Sequence, residues 1–219
     1  MCRRRVDLSV LALLGSTLVV PAVALAGDGW NQVMQDQQMT VWQRQVPGGR
    51  IKEVKAAGLF DSPPAAVFAV LNDFDHYTGR MPYVSESRVV GTEEAGKVTY
   101  YYSVVDAPLV SKRDYTLKVT VDRLPENDDG VYHISWVSGN SYAKAPPPRN
   151  GYVRVETVSG SWELKPFTGG KTFAVYYILT DPGGSVPAFA IDKGNTKVVP
   201  EVFEAVRKTA KQAPYNLAK

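Results

Sequence analysis

KVTYYYSVVDAPLVSKRDYTLKVTV, residues 97–121, sets two runs of strand-forming residues on either side of a proline-containing turn. From Arg113 to Val121 the alternation is clean. Arg113, Tyr115, Leu117, Val119 and Val121 share one face, and Asp114, Thr116, Lys118 and Thr120 share the other. Successive side chains of a strand point to opposite faces, so the first set belongs to an interior and carries Arg113 to that interior or its rim. An unpaired buried charge is expensive, so the guanidinium needs a partner, either a protein carboxylate or the polar end of a bound molecule. The run before the turn is less decided. Val98, Tyr100, Tyr102 and Val104 oppose Thr99, Tyr101, Ser103 and Val105, and both faces suit half-burial. Inward tyrosine hydroxyls would give an apolar cavity its polar handles; tyrosine as plain core reads equally well.

Outward from this stretch the period-two pattern continues. Segments 86–92, 131–138, 151–159, 160–166 and 171–180 read as further strands, and 113 extends to 123. Their separators are turn-rich: Glu94-Ala95-Gly96, Glu126 to Gly130, Ser159-Gly160 and Gly169-Gly170. In segment 172–179, Phe173, Val175, Tyr177 and Leu179 oppose Thr172, Ala174, Tyr176 and Ile178, again with two plausible inner faces. Upstream, Trp30 to Gln45 carries Val33, Met34, Val41 and Trp42 among glutamines and reads as a helix ended by Pro47-Gly48-Gly49. Ile51 to Phe60 reads as a strand. Ser62-Pro63-Pro64 starts a helix reaching Leu71, and Phe74 to Met81 makes a second short one before Pro82. Downstream, Pro187 to Lys211 returns to helical spacing, with Val199, Val202, Phe203 and Val206 on one face and Pro200 expected to kink or divide it. The fold class is therefore α+β: a long, twisted antiparallel sheet whose concave face the C-terminal helix covers. A sheet gripping a helix leaves a space between them that side chains or a ligand must fill.

The N-terminus stands apart. Arg3, Arg4 and Arg5 precede an apolar stretch from Leu8 to Ala26 ending in Ala24-Leu25-Ala26, so residues 1–26 are expected to be a cleaved signal peptide and 27–219 the folded domain. The stretch is also about long enough to span a bilayer as a retained anchor, but Gly15, Pro21 and the cleavage motif favour removal. Of 25 Lys and Arg against 22 Asp and Glu, removal leaves 22 against 21. That near-neutral balance lacks the basic stripe of a nucleic-acid binder. The single cysteine is Cys2, so the remaining chain has no disulfide and rests on its core.

The run from Asp106 to Tyr115, with its proline loop and Arg-Asp-aromatic opening, resembles the START (steroidogenic acute regulatory protein-related lipid transfer) domain family. Val67 to Pro82 is similar to the family's paired short helices, Tyr152-Val153-Arg154 and Gly160 to Pro166 to its later hairpin, and Asp181 to Pro187 to the entry of its last helix. The likeness covers about Trp42 to Lys211. It implies a helix-grip fold, an internal cavity for a lipid, and neither catalytic chemistry nor a cofactor or metal. It further implies a gate formed by residues 106–112, with Pro108, Leu109 and Val110 at its tip, and by the C-terminal helix. Leu109 and Val110 would touch a membrane transiently or pack on that helix. The cavity wall expected on this basis comprises Arg113, Tyr115, Leu117, Tyr100, Tyr102, Arg154, Trp136 and Tyr177, with Val199, Val202, Phe203 and Val206 from the helix. Sterol-binding members place an acid on the strand before the gate loop, and residues 97–105 hold none; members that bind phospholipid meet phosphate with arginine, which makes Arg113 and Arg154 the candidates. The resemblance thus implies a phospholipid, sterol or hopanoid-like lipid as ligand, and the chain is expected to be a monomer exported to the periplasm or beyond the cell.

The alternative is a helix-grip enzyme acting on a polyketide- or steroid-like ligand. Its materials are thin. His76 and His133 are the only histidines; His133 shares a strand with Ile134 and Trp136 and is the one candidate base. No Gly-rich phosphate loop, His-Glu-x-x-His spacing or nucleophile elbow occurs. A structural protein whose own side chains fill the space is the third reading.

Overall fold

A computed structural model describes residues 29–49, 51–108, 110–125, 130–186 and 188–217, and of residues 188–195 the backbone only. The expected signal peptide, Leu109, most of the Glu126 to Gly130 turn, and Pro187 lie outside the described residues.

The chain forms β1 (Asn31–Gln35), β2 (Met39–Gln45), β3 (Lys52–Phe60), α1 (Pro64–Leu71), β4 (Val84–Glu93), β5 (Val98–Val105), β6 (Arg113–Arg123), β7 (Tyr132–Ser138), β8 (Val153–Arg154), β9 (Thr157–Phe167), β10 (Lys171–Asp181) and α2 (Ala188–Ala210). One sheet runs in the order β1-β2-β3-β10-β9-β7-β6-β5-β4, with the short β8 parallel to β6 and every other pairing antiparallel. The β-meander is therefore cut once: β3 sits beside the last strand, and α1 and the 3-10 turn Phe74–His76 carry the chain to the far edge at β4. Helix α2 packs on α1, β2 and β3. This is the expected α+β arrangement of a sheet with a C-terminal helix over it.

Four expectations are corrected. Residues 30–45 form the β1–β2 hairpin, not a helix. Asp36 decides this, because its Oδ1 accepts from the amides of Gln38 (2.7 Å) and Met39 (2.8 Å) and turns the chain. The second short helix shrinks to Phe74–His76. Segments 151–159 and 160–166 are not a hairpin: Thr157–Phe167 is one strand, and Ser159-Gly160 lies within it. Gly160 is there because Trp136 crosses it; a Cβ would meet Trp136 Cζ2 at 2.2 Å and the Tyr177 carbonyl at 2.5 Å. Of the kink or division expected at Pro200, the division does not occur: α2 continues as one helix from Ala188 to Ala210. Buried Val199, Phe203 and Val206 anchor that helix on both sides of the proline. By contrast, Gly169 and Gly170, at φ of 73° and 71°, make the turn between β9 and β10 as expected.

The core lies under α1 and the C-terminal half of α2. Phe203 is fully buried, stacked on Phe60 at 5.3 Å and tilted against Trp162 at 5.0 Å.

Candidate functional site

The register of the sheet decides which side chains face α2. In β6 they are Arg113, Tyr115, Leu117 and Val119, as the alternation requires. Tyr101 pairs with Leu117 and Val105 with Arg113, so β5 turns its odd-numbered residues inward. Further along the sheet, Trp136 pairs with Val119 and Gly160, and Trp162 pairs with Ile134 and Tyr176. These faces, with Val198 and Val202 of α2, line a partly open cavity of about 360 Å³, at the small end of the range of about 300–1,000 Å³ typical of ligand sites. Its wall is apolar apart from one charge and a group of hydroxyls.

The charge is Arg113, 8% exposed. Its Nη1 donates to the Ser111 carbonyl, and it has no carboxylate partner among the described residues. Burial pulls the guanidinium below its ordinary value, with no neighbouring charge to offset it. The cavity wall contains no Asp or Glu among the described residues. The internal salt bridge foreseen as one possibility for Arg113 is made instead by its neighbour. Asp114, on the opposite face and fully buried, accepts from Arg154 Nε (2.9 Å) and Nη2 (2.8 Å) and from the Tyr102 hydroxyl (3.0 Å). Hydrogen bonding to that carboxylate raises Arg154 above its ordinary value. Burial and the same carboxylate push Tyr102 up to about 12.

The expected wall residues divide accordingly. Arg113, Tyr115, Leu117, Trp136 and Val202 line the cavity. Tyr100, Tyr102, Arg154 and Tyr177 do not, because each occupies the other parity of its strand or pairs behind the sheet. Tyr100 stacks on Tyr142 at 3.8 Å and donates to Glu93, while Tyr177 donates to Glu53 at 2.6 Å beside Trp30. Val199, Phe203 and Val206 are buried in the core, one helical step around from Val198 and Val202. The gate loop contributes Ala107 to the wall; Pro108 is exposed and Val110 half-buried. A Lys112–Asp106 ion pair (3.0 Å) closes the base of that loop.

Pattern reading missed Tyr101 and Tyr176, which line the cavity with Tyr77 and Tyr115. Burial raises all four hydroxyls above the ordinary tyrosine value. Where the folded value exceeds the unfolded one near 10, stability is fully present below that pH and drains away as pH rises toward the folded values. The melting temperature is therefore expected to hold from about pH 7 to 9 and fall steeply above about pH 10. A midpoint steady to about pH 11 would show that the hydroxyls are solvated.

The sequence profile of the START domain matches residues 17–214. The chain belongs to the START domain family. An uncharacterized protein of Pseudomonas aeruginosa is 26% identical over 183 residues, covering 83% of this chain and 86% of that protein. The fold is that of the STAR-related lipid transfer protein from Xanthomonas axonopodis (TM-score 0.74, 24% identity, 84% of this chain and 100% of that one). Human STARD10 shares it as well (TM-score 0.73, 21% identity, 88% and 77%). In this START domain both histidines stand away from the cavity. His133, of opposite parity to Ile134 and Trp136, meets Asp122 at 2.9 Å, and His76 meets Asp73 at 2.6 Å.

Proposed function

We propose that this START domain is a non-catalytic carrier that encloses a lipid between the sheet and α2, with an anionic group of the lipid, phosphate or carboxylate, against Arg113. The observation that carries the reading is a buried guanidinium without a carboxylate partner in the wall of an otherwise apolar cavity. Each exposed CH₂ of an acyl chain costs about 0.8 kcal/mol in water, so a carrier has to enclose the chain. The absence of Asp and Glu from the described wall favours an anionic lipid over one read by an acid–base pair. The position of His133 behind the sheet leaves the enzyme reading without its candidate base. Entry would pass Ala107, Val110 and α2 during brief contact with a membrane, and the basic and apolar N-terminal stretch supports the reading of an exported carrier.

The test is native mass spectrometry of the protein from its native host, with lipid extraction. A stoichiometric anionic lipid is expected, on a chain whose mass shows residues 1–26 removed. Arg113→Met should weaken that lipid by roughly ten- to a hundred-fold, the worth of a hydrogen bond to a charged group. Protein that carries no lipid and takes none from vesicles would sink the carrier reading.

A further inference from the structure

The size and shape of the cavity limit what it can hold. An apolar protein cavity of about 150 Å³ accepts one benzene ring, so buried hydrocarbon takes roughly 25 Å³ per carbon. At that density the cavity of about 360 Å³ has room for about 14 carbons. Its length agrees. Arg113 and Val119 both line the wall and stand six residues apart on β6, a span of roughly 20 Å at about 3.3 Å per residue. That length and volume give a mean cross-section of no more than about 18 Å². Apolar groups in contact lie about 4–4.5 Å apart, so packed chains take roughly 16–20 Å² each. One chain fits, and two side by side do not.

The rings of the wall resist widening. Phe74 and Tyr101 stack at 4.4 Å, Trp162 and Tyr176 lie 4.5 Å apart, and Tyr77 is tied to the Leu71 carbonyl at 2.6 Å. All five line the cavity, and Trp162 backs onto Phe60 and Phe203 of the core. A close-packed interior yields little volume unless such rings move. The charge lies at one end of this narrow space. Arg113 opens β6, while Ile134 and Trp162 line the wall at the row of Val121, near the other end of that strand.

We infer that the lipid has a single acyl chain. It is a monoacyl anion, either a fatty acid or a monoacylglycerol phosphate, with its head at Arg113 and its tail running along β6 toward Ile134 and Trp162. The inference rests on the carrier reading. A two-chain phospholipid would leave one chain outside, its CH₂ groups still in water, and the fused rings of a sterol are broader than one chain.

The experiment measures displacement of a fluorescent fatty acid from the protein, below the concentrations at which the competitors form micelles. The competitors are saturated fatty acids from decanoate to stearate, the matching monoacylglycerol phosphates, and didecanoyl phosphatidate. Affinity should climb about fourfold with each added CH₂, the worth of removing one from water, as far as myristate and level off beyond it. Didecanoyl phosphatidate should bind no more tightly than its monodecanoyl counterpart, because the second chain finds no room. Tighter binding of the carboxylates would name a fatty acid, and of the phosphates a monoacylglycerol phosphate; each is a single-chain anion. A climb that continues through stearate would overturn the single-chain limit and leave the carrier reading standing. So would a second chain that raises affinity by more than about tenfold. Protein that binds neither the fluorescent fatty acid nor any of these lipids would fell the carrier reading itself.

Discussion

Asp114→Ala lowers the stability of this START domain by about 3–5 kcal/mol, the cost of removing one partner from a buried ion pair. For a chain of this length that is a fall in melting temperature on the order of 10 °C. Asp114 is fully buried and accepts three hydrogen bonds, two of them from an Arg154 side chain that is itself only 10% exposed. With the carboxylate gone, Arg154 keeps its Pro146 carbonyl contact at 3.1 Å and loses its counter-charge. Tyr102 loses the acceptor of its hydroxyl. β8 and the loop before it, which Arg154 ties to β6, would loosen with them. The damage lies behind the sheet, so lipid affinity measured well below the melting point should not change. A loss below about 1 kcal/mol in chemical denaturation would mean that water already screens the pair.

Phe203→Ala is expected to cost about 3–5 kcal/mol, through lost transfer free energy and the void left behind. Phe203 is fully buried and meets three rings: Phe60 in a stack, Trp162 at a tilt, and Tyr176 edge-on at 6.3 Å. Those rings belong to β3, β9 and β10, so this one side chain pins α2 to three strands. The urea midpoint should drop with an unchanged slope, the mark of lost stability in an unaltered unfolding reaction. A midpoint shifted by less than the equivalent of about 1 kcal/mol would show that the neighbouring rings close over the gap.

β4, β5, β6, β7 and β10 were legible because period-two alternation is a local property, and so was the inward face of β6, where only one face is apolar. Trp30 to Gln45 misled because its apolar spacing suits a helix face as well as a short hairpin, and the deciding signal was the single Asp36 side chain. Ser159-Gly160 misled for a different reason. A glycine that reads as a turn in one dimension is, in three, the space across which Trp136 lies.

The sequence determined by itself that the chain is a sheet with a C-terminal helix over one face, and that Arg113 rides on the inner face of β6. It also carried the START family likeness. The tertiary structure alone decided which tyrosines meet the cavity. β5 and β10 are apolar on both faces, so their parity follows only from hydrogen-bond registers to Leu117 and Trp162, distant in the chain. It alone decided, too, that Arg154 closes on Asp114 while Arg113 is left without a carboxylate. Charge pairing depends on which strands become neighbours, and β8 meets β6 across about 40 residues of intervening chain.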